Sequence, residues 1–93
     1  MSIKVIIFYP HLKALVNDQE FVEVAGDSIG QCLEDLVEQY PDIRPKIFDN
    51  NGNLMHFINI FHNRQSTHQD PNPLQIHVQD GDEIVISLLI AGG

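Results

Sequence analysis

Two periodicities organise the chain. Near the start, "IKVIIFY" (Ile3 to Tyr9) is β-branched and aromatic, the composition of a strand. With Lys4 turned to solvent, period-two alternation puts Ile3, Val5 and Ile7 on one face and Ile6 and Phe8 beside Lys4 on the other. Pro10 ends this strand. "HLKALVNDQ" follows as a turn-rich connection, and "EFVEV" (Glu20 to Val24) is a second short strand. Two short strands this close in sequence predict an antiparallel hairpin. The period then lengthens. In "GDSIGQCLEDLVEQYP" apolar residues fall at Ile29, Cys32, Leu33, Leu36, Val37 and Tyr40, the spacing of one buried helix face. Ser28 with Gln31 three residues on is a capping-box signature. Pro41 closes the helix, because the residue before proline disfavours the α region. Glu34, Asp35 and Glu38 form the solvated face.

Strand-like segments return in the second half. "DIRPKIFDNNGN" is a connector with a short turn at Pro45–Phe48 and a tight turn at "NNGN". "LMHFINIFH" (Leu54 to His62) is a third strand. "NRQSTHQDPNP" (Asn63 to Pro73) is polar and proline-containing, the composition of a mobile surface loop. "LQIHV" is a further short strand, and Asp80-Gly81 marks a turn. "IVISLLI" (Ile84 to Ile90) is nearly all apolar, so it belongs in the sheet interior. The order β-β-α-β-(β)-β has no repeat, low-complexity tract or domain boundary. It predicts one α+β domain over residues 1–93, with a mixed sheet of four to five strands and one main helix on one face. The strongly apolar first and last strands are best placed side by side at the centre, and then run parallel. That is a β-grasp, or ubiquitin-like, arrangement. One helix leaves the other sheet face open. Alternation directs Ile6, Phe8, Phe57, Phe61 and Val85 to that face, an apolar patch of the kind that marks partner docking.

Composition narrows the function classes. The chain is 43% hydrophobic, close to the globular norm of about 45–50% and ample for a core. No apolar window is long enough to span a membrane, and the N-terminus lacks the small-residue cleavage site of a signal peptide. A single cysteine makes no internal disulfide, which fits a reducing compartment such as the cytoplasm. Thirteen acids against five bases give a net charge of −8. Phosphate-backbone binding needs clustered Lys and Arg, so no nucleic-acid partner is expected. An acidic surface suits a soluble protein and steers it toward a basic partner. Cys32 lies on the buried helix stripe, where cysteine behaves as a small hydrophobe. His11, His56, His62, His68 and His77 match no metal-ligand spacing and read as scattered surface histidines. His56 and His62 fall on one face of the expected third strand, about 20 Å apart and too far for one ion. "DGDE" lacks the rest of a calcium loop. There is no nucleophile–base pair and no phosphate loop, so no independent catalysis, metal or bound cofactor is expected.

The terminal "DGDEIVISLLIAGG" carries the chemistry. With ordinary glycine usage of about 7%, a Gly-Gly end arises by chance in roughly 0.5% of chains. A β-β-α-β-β chain of this size, with Asp80-Gly81-Asp82-Glu83 entering the last strand and a free "AGG", resembles the ubiquitin-like sulfur carriers. These include the small subunit of molybdopterin synthase (MoaD-like) and the thiamine-pathway carrier (ThiS-like). The resemblance covers essentially the whole chain. The chain length and the "YPD" break after the helix favour the molybdopterin side. It departs from the family in lacking prolines before the tail, in His62 where an apolar residue is common, and in a long 63–73 loop. The resemblance implies that an adenylating enzyme uses ATP to activate the Gly93 carboxylate. A persulfide then converts it to a thiocarboxylate, which gives sulfur to a partner such as the molybdopterin synthase large subunit. Ile90, Ala91 and Gly92 would be the threaded tail, with residues 89–93 a flexible arm. Two other readings use the same features: a protein modifier joined through Gly93 to lysines, and a β-grasp interaction module whose Gly-Gly is incidental. Thiamine synthesis and tRNA thiolation are the other open destinations of the sulfur.

Overall fold

The alternation of the first strand survives folding. In the computed structural model of the protein, which describes residues 2–89, β1 spans Ile3–Ile7. Ile3, Val5 and Ile7 are buried, while Lys4 is exposed and Ile6 is half-buried. The strand stops at Ile7, two residues short of the expected Tyr9, and Pro10 starts a helix, α1 (Pro10–Lys13), with Tyr9 extended before it. Proline suits that place because a first-turn N–H has no intrahelical partner. A 3₁₀ turn over Ala14–Val16 follows, so the segment expected as a turn-rich connection is largely helical, and Leu12 and Val16 join the core. β2 is shorter than expected, Val22–Val24, and pairs antiparallel with β1.

The main helix, α2, runs Ile29–Gln39, as the spacing predicts. Ser28 Oγ accepts from the Gln31 N–H at 3.2 Å, while the Gln31 side chain accepts from the Asp27 N–H at 2.8 Å. The reciprocal capping bond thus reaches one residue further back than in the usual box. Ile29, Cys32, Leu33, Leu36 and Val37 are the buried stripe. Burial and the neighbouring acids Asp35, Asp27 and Asp82 push the Cys32 thiol up to about 11, which keeps it protonated and inert. Beyond Tyr40 come a 3₁₀ turn at Pro41–Ile43 and α3, Arg44–Ile47, where only a short turn was expected.

β3 is Ile58–His62 and starts four residues later than the sequence suggests. Leu54 instead makes an isolated bridge to Phe48. His56 therefore precedes the strand and does not share a strand face with His62. The expected mobile loop begins as a hairpin. β4, Gln65–Ser66, returns beside β3 through a two-residue turn, with His62 opposite Gln65. Thr67 is buried, and its N–H and hydroxyl both donate to the Ile60 carbonyl, at 2.9 and 2.8 Å. "LQIHV" forms a 3₁₀ turn at Pro73–Gln75 and a single bridge from His77 to Ser28, rather than a strand. This segment lies so close to α2 that a Cβ on Gly30 would meet the Leu74 carbonyl oxygen at 2.9 Å.

β5, Glu83–Leu88, lies at the centre of a five-stranded sheet of order β2-β1-β5-β3-β4. It runs parallel to β1, with Val5 beside Ile84 and Ile7 beside Ile86, and antiparallel to β3, with Ile60 opposite Ile86. This is the β-grasp order, with the first and last strands adjacent. The buried residues of these strands and of α2 form one hydrophobic cluster. The turn before β5 is set by Gly81 at φ +90°, where a side chain would be strained. Both outer edges of the sheet are short or covered. On β2, Gln39 donates to the Glu23 carbonyl at 3.0 Å and Asp35 accepts from the Ala25 N–H at 2.9 Å. β4 has only two residues.

Candidate functional site

The strand parities leave two distinct faces. Ile84 and Ile86 of β5 turn toward α2, so Val85 and Ser87 turn away. Register carries the same face across the sheet: Ile6 sits beside Val85, and Phe61 lies opposite it. The result is a shallow groove of about 470 Å³ on the helix-free face, lined by Ile6, Phe8, Phe61, Arg64, Glu83, Val85 and Ser87. Four of the five docking residues expected from alternation (Ile6, Phe8, Phe61 and Val85) meet there. Phe57 does not line it. It precedes β3 and stands at the end of the sheet, where its carbonyl accepts from the Leu89 N–H at 2.7 Å.

That bond sharpens where the tail begins. The sequence places the division at about Leu89, but Leu89 is still fastened to the β3 side of the sheet. Among the described residues the exposed large apolar side chains are Phe8 (72%), Phe21 (37%), Phe57 (40%), Leu88 (39%) and Leu89 (36%). All but Phe21 lie where β5 ends. Phe8, held by its N–H to the Ile86 carbonyl at 2.9 Å, stands on the β1 side, and Phe57 stands on the β3 side. An apolar collar therefore surrounds the point from which the chain continues. Ile90, Ala91, Gly92 and Gly93, the expected tail and reacting end, lie outside the described residues.

Polar groups fasten the other end of β5. His62 lies opposite Ile84, on the helix side, and its Nε2 is 2.8 Å from Asp82 Oδ2. Asp82 also accepts from the Gln79 N–H at 2.8 Å. The His62 hydrogen bond first, then the Gln79 amide and Asn63, hold the Asp82 carboxyl down at about 2. His62 is therefore a half-buried latch, not one of a set of scattered surface histidines. Asn63 completes the seam: its side-chain oxygen accepts from the Glu83 N–H and its own N–H donates to the Glu83 carbonyl, both at 2.9 Å. Sequence reasoning missed this seam. The departure at His62 was its only signal, since an ionisable residue in an apolar position needs a partner.

The arrangement offers an apolar surface for binding. Among the described residues no group of three His, Cys, Asp or Glu side chains could hold a metal ion, and no helix is long and apolar enough to cross a membrane. With the β2 edge capped by α2 and β4 reduced to two residues, neither edge offers a long ladder for strand addition. The groove and collar are the apolar surface left for a partner.

No family model matches the sequence. Sulfur carrier protein CysO of Mycobacterium tuberculosis is 30% identical over 89 residues, covering 94% of this chain and 90% of that protein. The crystal structure of Mycobacterium tuberculosis CysO superposes with a TM-score of 0.82 at 26% identity, over 95% of this chain and 99% of the other. SAMP1 from Haloferax volcanii also has a TM-score of 0.82, with 24% identity and full coverage of both chains. At that identity it speaks for the fold alone, as does the Amycolatopsis orientalis BexX/CysO complex at 23%.

Proposed function

The chain belongs to the ubiquitin-like sulfur carrier family, and from that premise we propose that the Gly93 carboxylate is the atom group it works with. The carrier itself is a protein-bound co-substrate, not an enzyme, in keeping with relatives named as carrier proteins. An ionised α-carboxylate, with an ordinary pKa near 3.3–3.7, is a poor electrophile. An adenylating enzyme makes it one. A carboxylate oxygen attacks the α-phosphorus of ATP, pyrophosphate leaves, and an acyl-adenylate forms. The outer sulfur of a protein persulfide then attacks the acyl carbon and AMP leaves. A thiol reduces the resulting acyl disulfide, leaving the thiocarboxylate. Glycines at 92 and 93 fit this chemistry because, without a Cβ, they let phosphate and sulfur approach closely in a narrow channel. Docking the tail costs about 1–2 kcal/mol of backbone entropy per residue, recovered through backbone hydrogen bonds and carboxylate capture.

The observation that carries this reading is the convergence of a terminal Gly-Gly with a collar of exposed apolar side chains at the end of β5. The collar and groove dock the partner, and β5 aims the tail into it. The molybdopterin synthase large subunit, expected from chain length and the "YPD" break, remains one acceptor to assay. The CysO name of the curated relatives favours an acceptor of the kind those carriers serve.

The test is mass spectrometry of the C-terminus after incubation with an adenylating enzyme, ATP and a persulfide donor. A gain equal to sulfur replacing oxygen is expected. Gly92→Ala should slow transfer at least about tenfold with the melting temperature unchanged, because crowding in the channel acts on the complex alone. An unaltered terminus overturns the carrier chemistry, and lysine adducts that survive reduction identify a modifier instead.

A further inference from the structure

The turn between β3 and β4 is the two residues Asn63 and Arg64, with φ +48° and +73°. A tight hairpin needs positive φ at both positions, and glycine is strongly preferred at the second. Asparagine tolerates that region. Arginine does so at a cost, since its Cβ crowds the backbone there. Folding gains nothing visible in return. The Arg64 side chain is 87% exposed, and its ion pair with Glu83 is long, at 3.8 Å, the kind that contributes little.

What Arg64 does have is a fixed position. The turn is pinned to the head of β5 by the two Asn63–Glu83 hydrogen bonds and by the adjoining His62–Asp82 contact. From that platform Arg64 lines the groove together with Ile6, Phe8, Phe61, Val85, Glu83 and Ser87. The charges around it are few. Glu83 also lines the groove, and Lys4 and Glu23 lie beyond on the same face, in register with each other and with Glu83. Lys4 is engaged over the Phe21 ring at 4.7 Å. Among the described residues Arg64 is thus the one cation lining the groove, beside the carboxylate of Glu83, on a chain whose net charge is −8.

We infer that Arg64 is a specificity residue of the docking groove, and that its partner surface is an apolar segment flanked by a carboxylate. The groove takes the apolar segment. The guanidinium pairs with the Asp or Glu beside it and fixes the register. Arginine's planar fork suits a carboxylate better than lysine's point charge, and pairing at the rim of a desolvated contact is worth more than the open pair with Glu83. The inference rests on the carrier reading, because it takes the adenylating enzyme as the partner.

The experiment uses the full chain with an adenylating enzyme that accepts it, read by ATP–pyrophosphate exchange, alongside thermal melts. R64G should melt about 2–5 °C higher, because glycine relieves the turn. The same variant should show a KM for the carrier raised about five- to tenfold, with kcat unchanged. R64K and R64E both keep a side chain in the left-handed region, so they isolate charge. R64K should stay within about threefold of wild type and R64E should lose about thirtyfold or more. An R64G that keeps the wild-type KM, or an R64E that matches R64K, overturns the inference while the carrier reading stands. A wild-type chain that no adenylating enzyme accepts overturns both.

Discussion

Along β5, Ile84 and Ile86 are fully buried beneath α2, while Val85 and Ser87, alternating with them, are half-buried on the open face. One strand thus belongs to two surfaces. On the helix side these two residues pack into the hydrophobic core, and substitutions there act on folding. On the open side the same residue types stay in contact with water. Their cost is tolerated because a soluble protein always exposes some apolar area, and they become informative only when gathered in one patch. The difference separates residues that hold the carrier together from residues that let it be held.

The comparison breaks first on Ile86→Ala. Removing a large side chain at a fully buried site costs about 3–4 kcal/mol, which lowers the melting temperature by roughly 15 °C or more in a domain this small. Activation by the adenylating enzyme, measured below that temperature, should retain the wild-type KM. A KM that rose as far as the stability fell would show that the two faces are not separable. Phe8→Glu is the converse. Phe8 is 72% exposed, so stability should change by less than about 0.5 kcal/mol. Loss of an aromatic anchor from the docking surface should raise KM by at least about tenfold. Equal effects on melting and on KM would return Phe8 to the fold.

A smaller effect sharpens the comparison at the seam between the faces. The folded Asp82 carboxyl is held near 2, against an ordinary 3.8. A depressed carboxyl contributes stability that is fully present above the ordinary value and lost as pH falls through the folded one. After allowance for partial solvent screening, Asp82 supplies about 1–2 kcal/mol at neutral pH. Asp82→Asn should therefore be less stable than wild type at pH 7 by that amount, and the gap should close between about pH 4 and pH 2. Urea melts across that range check it, and a gap that stays constant with pH would assign the loss to packing instead.

Much of the architecture was legible because its signals agree. The 3.6-residue spacing from Ile29 to Tyr40, Ser28 before it and Pro41 after it all specify the same helix. The apolar run from Ile84 specifies a central strand, and alternation about Lys4 correctly placed Ile6 and Phe8 on the open face. The hidden parts were those in which tertiary packing overrides local preference. Pro10–Lys13 and Arg44–Ile47 are single helical turns, too short to show a period. "NR" conceals a hairpin because the usual glycine is missing, so composition presents β4 as loop. Arg64 is inconspicuous in the sequence for the same reason: its significance lies in its backbone angle, which composition does not reveal. Phe57 has the right parity but sits before the strand, where alternation no longer governs direction.

The placement of β5 between a parallel and an antiparallel neighbour has a mechanical consequence. A load applied beyond Leu89, along the strand, pulls in line with β5. It therefore strains the hydrogen bonds to β1 and to β3 together, sideways, instead of opening them one at a time. A partner that grips and tugs the tail meets the resistance of the whole central sheet, and the domain behaves as a rigid handle.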